Sequence, residues 1–289
     1  MALRALATFL VAGLSLACAS SGDGDGGPAR TYGGDRPVTL QVPPDLQDGQ
    51  RYPLVLILHG HGSSGAGHQL YFQVFQLPAL RQAFVLAPDG TRDALGLRFW
   101  NMVPEQGSAV DDVAYLGGLL DQVMADWPID PARVVVLGHS NGAFMAYRLA
   151  CDRADVVTAI GGLAGADVSG HVACEPARPV SVLHVHGDED AVVLYEGGSL
   201  GPDLDYPGAA ASALTWAGYD ACDGDATAGS AIDLAHDVAG EETLPHLATG
   251  CPAGVAVELW TIQGGSHAPT LAYGAGLRLI DWLLAHPRP

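Results

Sequence analysis

The most informative stretch of the chain is Arg133-Val134-Val135-Val136-Leu137-Gly138-His139-Ser140-Asn141-Gly142-Ala143-Phe144-Met145-Ala146-Tyr147-Arg148-Leu149. Its first half is an apolar, β-branched run that predicts a buried strand, and its second half has apolar residues at helical spacing. Ser140 therefore falls at a tight strand-to-helix turn, with a glycine two residues away on each side. Side chains at those two positions would clash with the neighbouring strand and helix. The pattern is typical of a nucleophile elbow, in which a serine hydroxyl projects from the edge of a sheet.

Strand and helix patterns alternate on both sides of this turn. Strands are predicted at residues 37–42, 53–59, 84–87, 156–163, 179–186 and 256–262, and helices at residues 69–80, 111–125, 209–219 and 271–284. This order predicts an α/β fold with a mostly parallel sheet wound on both faces. Ligands bind such sheets at the carboxyl ends of the strands, which selects the loops at residues 59–67, 138–142, 187–193 and 264–269.

We expect one folded domain over residues 37–289. The chain has 289 residues, 48% of them hydrophobic, which is ample for a large core. The candidate site residues are spread from His59 to His267, so neither half of the chain could hold the site alone. The least regular segment, residues 220–254, is expected to be a surface excursion held by two cysteines.

The N-terminal residues have the pattern of an export signal. Arg4 precedes an apolar stretch over residues 5–17 that is too short to span a bilayer. It ends in Leu14-Ser15-Leu16-Ala17-Cys18, which resembles a lipobox, although most lipoboxes have Leu at the position of Ser15. We expect residues 1–18 to be a signal peptide with lipidation at Cys18, the alternative being a plain signal peptide cut nearby. Residues 19–36 are predicted to be a flexible Gly/Ser/Asp tether, and the protein to be secreted, periplasmic or held at the cell envelope.

The four remaining cysteines can pair in three ways. Pairing of sequence neighbours is the simplest choice, and it predicts the disulfides Cys151–Cys174 and Cys222–Cys251. A zinc site is disfavoured because no two of these cysteines form the close C-x-x-C pair that such sites favour.

The formal net charge of the chain is -19, and all 13 basic residues are arginines. A strongly acidic surface repels nucleic acid and anionic lipid headgroups, so we expect neither as a partner. Contact with a membrane is expected only through the lipid anchor.

An activated serine needs a base, and the base needs a carboxylate that orients it. His267, in Gly264-Gly265-Ser266-His267, follows the last predicted strand and is the candidate base. Asp188 and Asp190 both follow an earlier strand, and spacing alone does not choose between them. Either choice gives the chain order Ser, Asp, His that is typical of α/β-hydrolases.

Two backbone N–H groups are the candidate oxyanion hole. The first belongs to Asn141, at the start of the helix after Ser140, where free N–H groups favour a developing negative charge. The second is expected from the backbone of His61, in His59-Gly60-His61-Gly62-Ser63-Ser64-Gly65, whose glycines allow close approach to a ligand. A phosphate-binding loop is disfavoured because no lysine follows.

Together these passages carry a family resemblance. They are Leu58-His59-Gly60-His61-Gly62, Asp111-Asp112-Val113-Ala114-Tyr115-Leu116, residues 129–142 with Met145-Ala146, and His186-Gly187-Asp188-Glu189-Asp190-Ala191-Val192-Val193 with Gly264-Gly265-Ser266-His267. The chain resembles the secreted esterases of the polyhydroxybutyrate depolymerase and feruloyl esterase type, within the α/β-hydrolases. The resemblance covers the chain from about residue 38 to its end.

The resemblance implies a single α/β-hydrolase domain without a large lid, and a cofactor-free serine esterase that works through an acyl-enzyme. Its His-Gly-x-x-Asp-x-x-Val pattern falls on Asp190 as the acid. It also implies a Cys222–Cys251 disulfide and a position for Trp100 near the acyl pocket, although a core role is an equal expectation for this residue. The implied substrates are small or oligomeric esters, including polyesters and esters of plant polysaccharides.

The chain departs from this family at three positions beside the expected pocket. His61 stands where many relatives have Cys or Gly, Ala143 where many have a second Gly, and Ala268 where a Trp often follows the histidine. These departures leave the identity of the ester open, and they leave the three candidate catalytic residues unaffected.

Three alternatives differ from an esterase in class. His59 with His61, and His184 with His186, each place two imidazoles on one strand face, as a metal site would, but no third ligand is evident. A serine peptidase would share the same three residues on the same fold. A binding lipoprotein would keep the fold and lack activity.

Overall fold

The computed structural model describes residues 30–106 and 108–288 of the chain. Its strands are β1 (Thr31–Tyr32), β2 (Val38–Thr39), β3 (Tyr52–Leu58), β4 (Phe84–Leu86), β5 (Thr91–Arg92), β6 (Arg98–Phe99), β7 (Ile129–His139), β8 (Ala159–Leu163), β9 (Ser181–Gly187), β10 (Gly197–Ser199), β11 (Asp205–Pro207), β12 (Ala226–Ala228), β13 (Thr243–Ala248) and β14 (Val257–Ile262). Its helices are α1 (Gly65–Tyr71), α2 (Leu77–Arg81), α3 (Asp112–Asp126), α4 (Asn141–Asp152), α5 (Ala209–Tyr219) and α6 (Ala275–Ala285), with a 3-10 turn at Pro104–Gln106.

Eight of these strands form one central sheet in the order β12-β13-β14-β9-β8-β7-β3-β4. The six strands from β14 to β4 run parallel, and β12 and β13 are antiparallel additions at one edge. One row across the sheet shows the register, and its members are the buried apolar residues Leu56, Val136, Ile160, Val182 and Val257. Apolar side chains fill both faces of a parallel sheet because helices cover both.

Helices cover the two faces in separate layers. Leu116 of α3, Tyr147 of α4 and Trp216 of α5 are buried against one face. Leu77 of α2 and Leu279 of α6 are buried against the other. The predicted single, doubly wound α/β domain is confirmed.

The folded domain begins earlier than the predicted boundary at residue 37. Tyr32 of β1 is buried, donates a hydrogen bond to Asp126 Oδ2 (2.9 Å) and accepts one from Trp127 Nε1 (2.9 Å). Arg36 pairs with Asp112, so the last part of the predicted tether is held against α3. The predicted signal peptide, the lipidation site at Cys18 and the tether up to residue 29 lie outside the described residues.

The segment at residues 220–254 is more than a surface excursion. It supplies β12 and β13, which extend the central sheet beyond β14. The sequence pattern for these two strands is weak. Strand β12 has only three residues, and β13 contains Pro245, whereas a proline within an apolar run argues against a strand. Two further helix boundaries differ from the prediction. The helix predicted at residues 69–80 is broken into α1 and α2 around Gln73, whose φ is 56°. The last helix begins at Ala275 and not at residue 271.

Both predicted disulfides are present. Cys151, at the end of α4, is bonded to Cys174, and Cys222 is bonded to Cys251. The second bond joins the two ends of the segment that contains β12 and β13. Within the described part of the chain, the helices are too short or too polar to cross a membrane.

Candidate active site

Ser140 occupies the turn between β7 and α4, and its backbone is strained. Its φ is 54° and its ψ is -124°, a conformation that residues with a side chain rarely adopt. The Ser140 N–H donates a hydrogen bond to the carbonyl of Leu163 in β8 (2.8 Å), which fixes the turn at the carboxyl end of the sheet. The predicted strand-to-helix position of Ser140 is confirmed.

Two glycines make this turn possible. A Cβ atom at Gly138 would lie 2.2 Å from the carbonyl oxygen of Gly142. A Cβ atom at Gly142 would lie 2.4 Å from the carbonyl oxygen of Leu58 in β3. Both contacts are to backbone atoms, which cannot move aside without shifting the sheet, so no larger residue fits at either position.

His267 lies beside Ser140, in the loop that follows β14. Its Nε2 is 2.9 Å from Ser140 Oγ, and its Nδ1 is 2.8 Å from Asp190 Oδ2. An ionised carboxylate can only accept, so we assign the proton of the neutral ring to Nδ1. Nε2 then presents its lone pair to the serine hydroxyl, as a general base must.

Asp190 is the carboxylate that meets His267. Its Oδ1 accepts hydrogen bonds from the N–H groups of Val192 (2.8 Å) and Val193 (2.9 Å), and its Oδ2 faces His267 and, at 3.3 Å, His186 Nε2. Burial alone would raise the pKa of Asp190, but the hydrogen bonds from His186, His267 and Val192 outweigh it and lower the pKa below its usual value. Asp190 is therefore held as an anion.

Asp188, the other candidate acid, has a different position. It is exposed, and its Oδ1 accepts a hydrogen bond from the N–H of Gly264 (2.6 Å), which ties together the loops that follow β9 and β14. The structure thus brings Asp190 and not Asp188 to His267.

The two predicted oxyanion donors are free to bind a ligand. Within the described part of the chain, neither the N–H of Asn141 nor that of His61 donates a hydrogen bond to another protein group. The Asn141 side chain instead binds the backbone of Trp100, since its Oδ1 accepts from the Trp100 N–H (2.6 Å) and its Nδ2 donates to the Trp100 carbonyl (2.9 Å). The His61 side chain pairs with Asp93 at the surface (2.8 Å).

Trp100 lies behind the pocket and not in its wall. Its side chain is fully buried, its indole N–H donates to the carbonyl of His59 (3.0 Å), and its ring packs on the His59 imidazole at 5.0 Å. This corrects the predicted pocket role of Trp100 in favour of the core alternative. Its neighbours Phe99 and Met102 line the cavity instead.

An open cavity of about 540 Å³ lies directly beside Ser140. Most of its lining is apolar. The apolar lining residues are Phe99, Met102, Phe144, Val192, Val193, Leu200, Gly201, Pro202 and Leu204, and the polar ones are His61, Asp93, Gln106, Ser140 and Asn141.

His139, the residue before Ser140, was not singled out from the sequence as a site residue. Its Nε2 lies 2.9 Å from the carbonyl oxygen of His267, which can only accept, so Nε2 carries a proton and holds the His267 backbone. Its Nδ1 faces His68 Nε2 at 3.1 Å. Burial lowers the pKa of His139 to about 4 and that of His68 to about 3, so both rings are neutral at pH 7. The sequence feature that could have identified His139 is its position inside the glycine-flanked pentapeptide, directly before Ser140.

The histidine pairs considered for a metal have other contacts. His59 Nε2 accepts a hydrogen bond from the N–H of Gly90 (2.9 Å), while His61 points to Asp93. His184 Nε2 and His186 Nδ1 bond to each other (3.1 Å). Across the described ranges, no three His, Cys, Asp or Glu side chains are grouped as a metal site requires.

The architecture defines the class of the protein. A mostly parallel sheet carries a serine at a strained strand-to-helix turn, an aspartate after β9 and a histidine after β14, in that chain order. This is the arrangement of an α/β-hydrolase fold. Residues 29–249 match the family model described as "Putative esterase", and the chain belongs to this Esterase family.

Individual relatives agree with the family. The chain is 28% identical over 244 residues to "Feruloyl esterase B" of Piromyces equi, a match that covers 81% of this chain and 42% of that protein. It is 29% identical over 170 residues to "Probable feruloyl esterase C" of Aspergillus niger, covering 56% of this chain and 58% of that protein. The chain thus spans about half the length of the curated relatives that it matches.

A solved structure shares the fold. The acetyl xylan esterase from Aspergillus awamori superposes with a TM-score of 0.63 over 86% of this chain and 94% of that chain. The sequence identity is 12%, so the likeness concerns the fold alone.

Proposed function

We propose that the protein hydrolyses carboxylic esters through an acyl-enzyme on Ser140. The observation that carries this proposal is the unbroken series of hydrogen bonds from Ser140 Oγ through His267 to Asp190, beside an open cavity. Such a series supplies an activated nucleophile, a base and an orienting anion in one place.

The geometry supports a two-step reaction. His267 Nε2 removes the Ser140 hydroxyl proton as Oγ attacks the ester carbonyl, and then gives that proton to the departing alcohol. A water molecule next attacks the acyl-enzyme: His267 takes its proton and returns a proton to Ser140 Oγ as the acid leaves. Asp190 stays ionised throughout and stabilises the imidazolium that forms in each step.

The tetrahedral oxygen needs hydrogen-bond donors that are already in position. We assign this role to the backbone N–H groups of Asn141 and His61, which have no other acceptor among the described groups. Donors of this kind contribute about 3 to 4 kcal/mol each to stabilising the transition state in comparable sites.

We propose that the substrates are uncharged esters with an apolar acyl group. The cavity lining is mostly apolar, and the carboxylate of Asp93 in that lining disfavours an acyl group with a negative charge. The relatives named as feruloyl esterases make esters of plant polysaccharides the first candidates, with polyester oligomers next. Two disulfides favour an exported protein, and the signal peptide and the lipid anchor at Cys18 stay predictions.

Replacing the nucleophile tests the activity. Ser140→Ala should lower kcat for a short p-nitrophenyl ester by about 10⁴-fold or more. A fluorophosphonate probe should label the wild type and not the variant. The exposed Ser230→Ala is the matched control and should keep both the activity and the labelling.

Other outcomes would contradict the proposal. Unchanged hydrolysis in Ser140→Ala would remove the serine from the mechanism, and loss of wild-type activity in excess chelator would favour a metal. An unlabelled, inactive wild type would favour the binding lipoprotein. Faster cleavage of peptide amides than of esters would favour a peptidase. A panel of feruloyl, acetyl and hydroxybutyrate esters compared by kcat/KM would rank the substrates.

A further inference from the structure

Three buried polar side chains form a cluster that reaches the carboxylate of Asp190. Tyr147 projects from α4, and His184 and His186 project from the same face of β9. All three are at most 1% exposed, and the two imidazoles are stacked with their ring centres 5.4 Å apart. Buried polar groups are costly unless each finds a hydrogen-bond partner. In this cluster each of them does.

The hydrogen bonds of this cluster run in a single direction. His186 Nε2 lies 2.8 Å from the carbonyl oxygen of Val193, which can only accept, so this nitrogen carries the proton. With this single proton on the ring, His186 Nδ1 is an acceptor, and it takes the proton of His184 Nε2 at 3.1 Å. His184 Nδ1 must in turn accept the hydroxyl proton of Tyr147, at 2.7 Å.

This direction places one proton on each ring, at Nε2. Burial lowers the pKa of His184 well below its usual value, which agrees with this assignment. Reversing either ring would leave two protons or two lone pairs facing each other in a site that water does not reach.

The series ends at the carboxylate of Asp190. The His186 Nε2–H also faces Asp190 Oδ2 at 3.3 Å, the same oxygen that accepts the His267 Nδ1–H. Because the other oxygen is held by two backbone N–H groups, both oxygens of the carboxylate have donors, and these contacts restrain its rotation. The carboxylate side chain is itself fully buried.

We propose that Tyr147, His184 and His186 form a hydrogen-bonded relay that positions Asp190 for His267. They are positioning residues, because none of them lines the cavity beside Ser140. This role rests on the proposed esterase function, whereas the directions of the hydrogen bonds do not. The relay continues the series of contacts that runs from Ser140 through His267 to Asp190, and it ends at Tyr147 of α4. The same helix begins directly after Ser140.

Nuclear magnetic resonance of the full chain labelled with 15N-histidine tests the relay without an assay. A protonated ring nitrogen and a bare one differ clearly in 15N shift. We expect the Nε2–H form for both His184 and His186, and a downfield Nδ1 proton for His267. The Nδ1–H form of either relay ring would overturn the proposal.

Tyr147→Phe tests the positioning role, because it removes the first donor and leaves His184 Nδ1 unpaired. We expect kcat to fall about three- to tenfold with an unchanged KM, and the His267 Nδ1 proton to shift. Tyr52→Phe is the matched control. Tyr52 is equally buried and also loses hydroxyl hydrogen bonds, but it lies at the opposite end of the sheet.

The control should keep the wild-type kcat and the His267 resonance. Equal kcat values and resonances in Tyr147→Phe and the wild type would overturn the positioning role, and so would equal losses in the two variants. An inactive wild type would contradict the proposed function alone, since the shift of the His267 proton in Tyr147→Phe would still test the relay. His186→Gln, which keeps an N–H donor toward Asp190, should retain more activity than His186→Leu.

Discussion

Asp220 shows how one buried side chain sets a pH dependence far from the candidate site. It is 1% exposed, its Oδ1 accepts a hydrogen bond from the N–H of Val180 (3.0 Å), and its Oδ2 has no partner in the described part of the chain. Burial raises the pKa of Asp220 to about 7, and the single hydrogen bond only partly offsets this. The folded protein therefore binds a proton that the unfolded chain has lost above about pH 4.

The raised pKa of Asp220 makes the folded protein less stable as the pH rises. Because the folded state binds more protons, this carboxyl makes the free energy of unfolding fall by about 1.4 kcal/mol per pH unit between about pH 4 and pH 7. Above about pH 7, Asp220 is ionised in both the folded and the unfolded state, and its contribution to the free energy of unfolding falls no further. Asp220→Asn should remove this slope and raise the melting temperature more at pH 8 than at pH 5. Urea unfolding of the wild type and the variant at pH 5 and pH 8 measures this difference. An equal gain in stability at both pH values would contradict the raised pKa of Asp220.

The nucleophile turn depends on two elements that approach closely. Gly142, in the first turn of α4, faces the backbone of β3, where a Cβ atom would lie 2.4 Å from the Leu58 carbonyl. Gly118, in the middle of α3, has space, since its Cβ atom would meet only the flexible Gln122 side chain at 3.9 Å. The same substitution should therefore have opposite effects at these two helical glycines.

Gly142→Ala should lower the free energy of unfolding by about 1 to 3 kcal/mol and also lower esterase activity, because the turn must shift. Gly118→Ala should raise the free energy of unfolding by about 0.5 to 1 kcal/mol, because alanine favours a helix, and leave activity unchanged. Denaturant unfolding and hydrolysis of a p-nitrophenyl ester measure both effects. A tolerated alanine at Gly142 would contradict the close packing of α4 on β3.

Local patterns predicted most elements but not all of them. The apolar runs of β3, β7, β9 and β14 are long enough for their burial to be evident from the sequence. The strands β12 and β13 were missed because their pairing depends on β14, which lies beside them only in the folded chain. Short edge strands carry little local signal, and tertiary pairing overrides propensity there.

Two disulfides hold separate parts of the whole molecule. Cys151–Cys174 closes a loop of 23 residues at the end of α4, and Cys222–Cys251 closes one of 29 residues at the sheet edge. Each should contribute about 3 kcal/mol by restricting the unfolded chain. Neither contacts Ser140, His267 or Asp190, so their loss should affect stability before activity.

Reduction of the intact protein should lower its urea midpoint and leave kcat at 25 °C unchanged. The Cys151→Ser/Cys174→Ser variant should lose about 3 kcal/mol of unfolding free energy. The variant that lacks both pairs is the control, because reductant should no longer affect it. Equal midpoints for the oxidised and reduced wild type would contradict the bonds.

Sequence patterns were sufficient for the fold class and for Ser140 and His267 as candidates. They left three disulfide pairings open, and the simplest of these, between sequence neighbours, is the one in the structure. Glycine spacing, apolar periodicity and order along the chain are local properties, and they specify a strand, a turn or a helix without knowledge of distant residues. The family pattern had to be added to choose Asp190 over Asp188, since both lie in the same short turn.

Folding set the contacts between residues that are far apart in the chain. Ser140 and His267 are 127 residues apart, and they meet because the register of the sheet brings the ends of β7 and β14 to one edge. The burial of Trp100, the His139 contact and the direction of the Tyr147–His184–His186 bonds depend on the same packing. A hydrogen bond needs a distance and an angle, and local sequence periodicity specifies neither between distant elements.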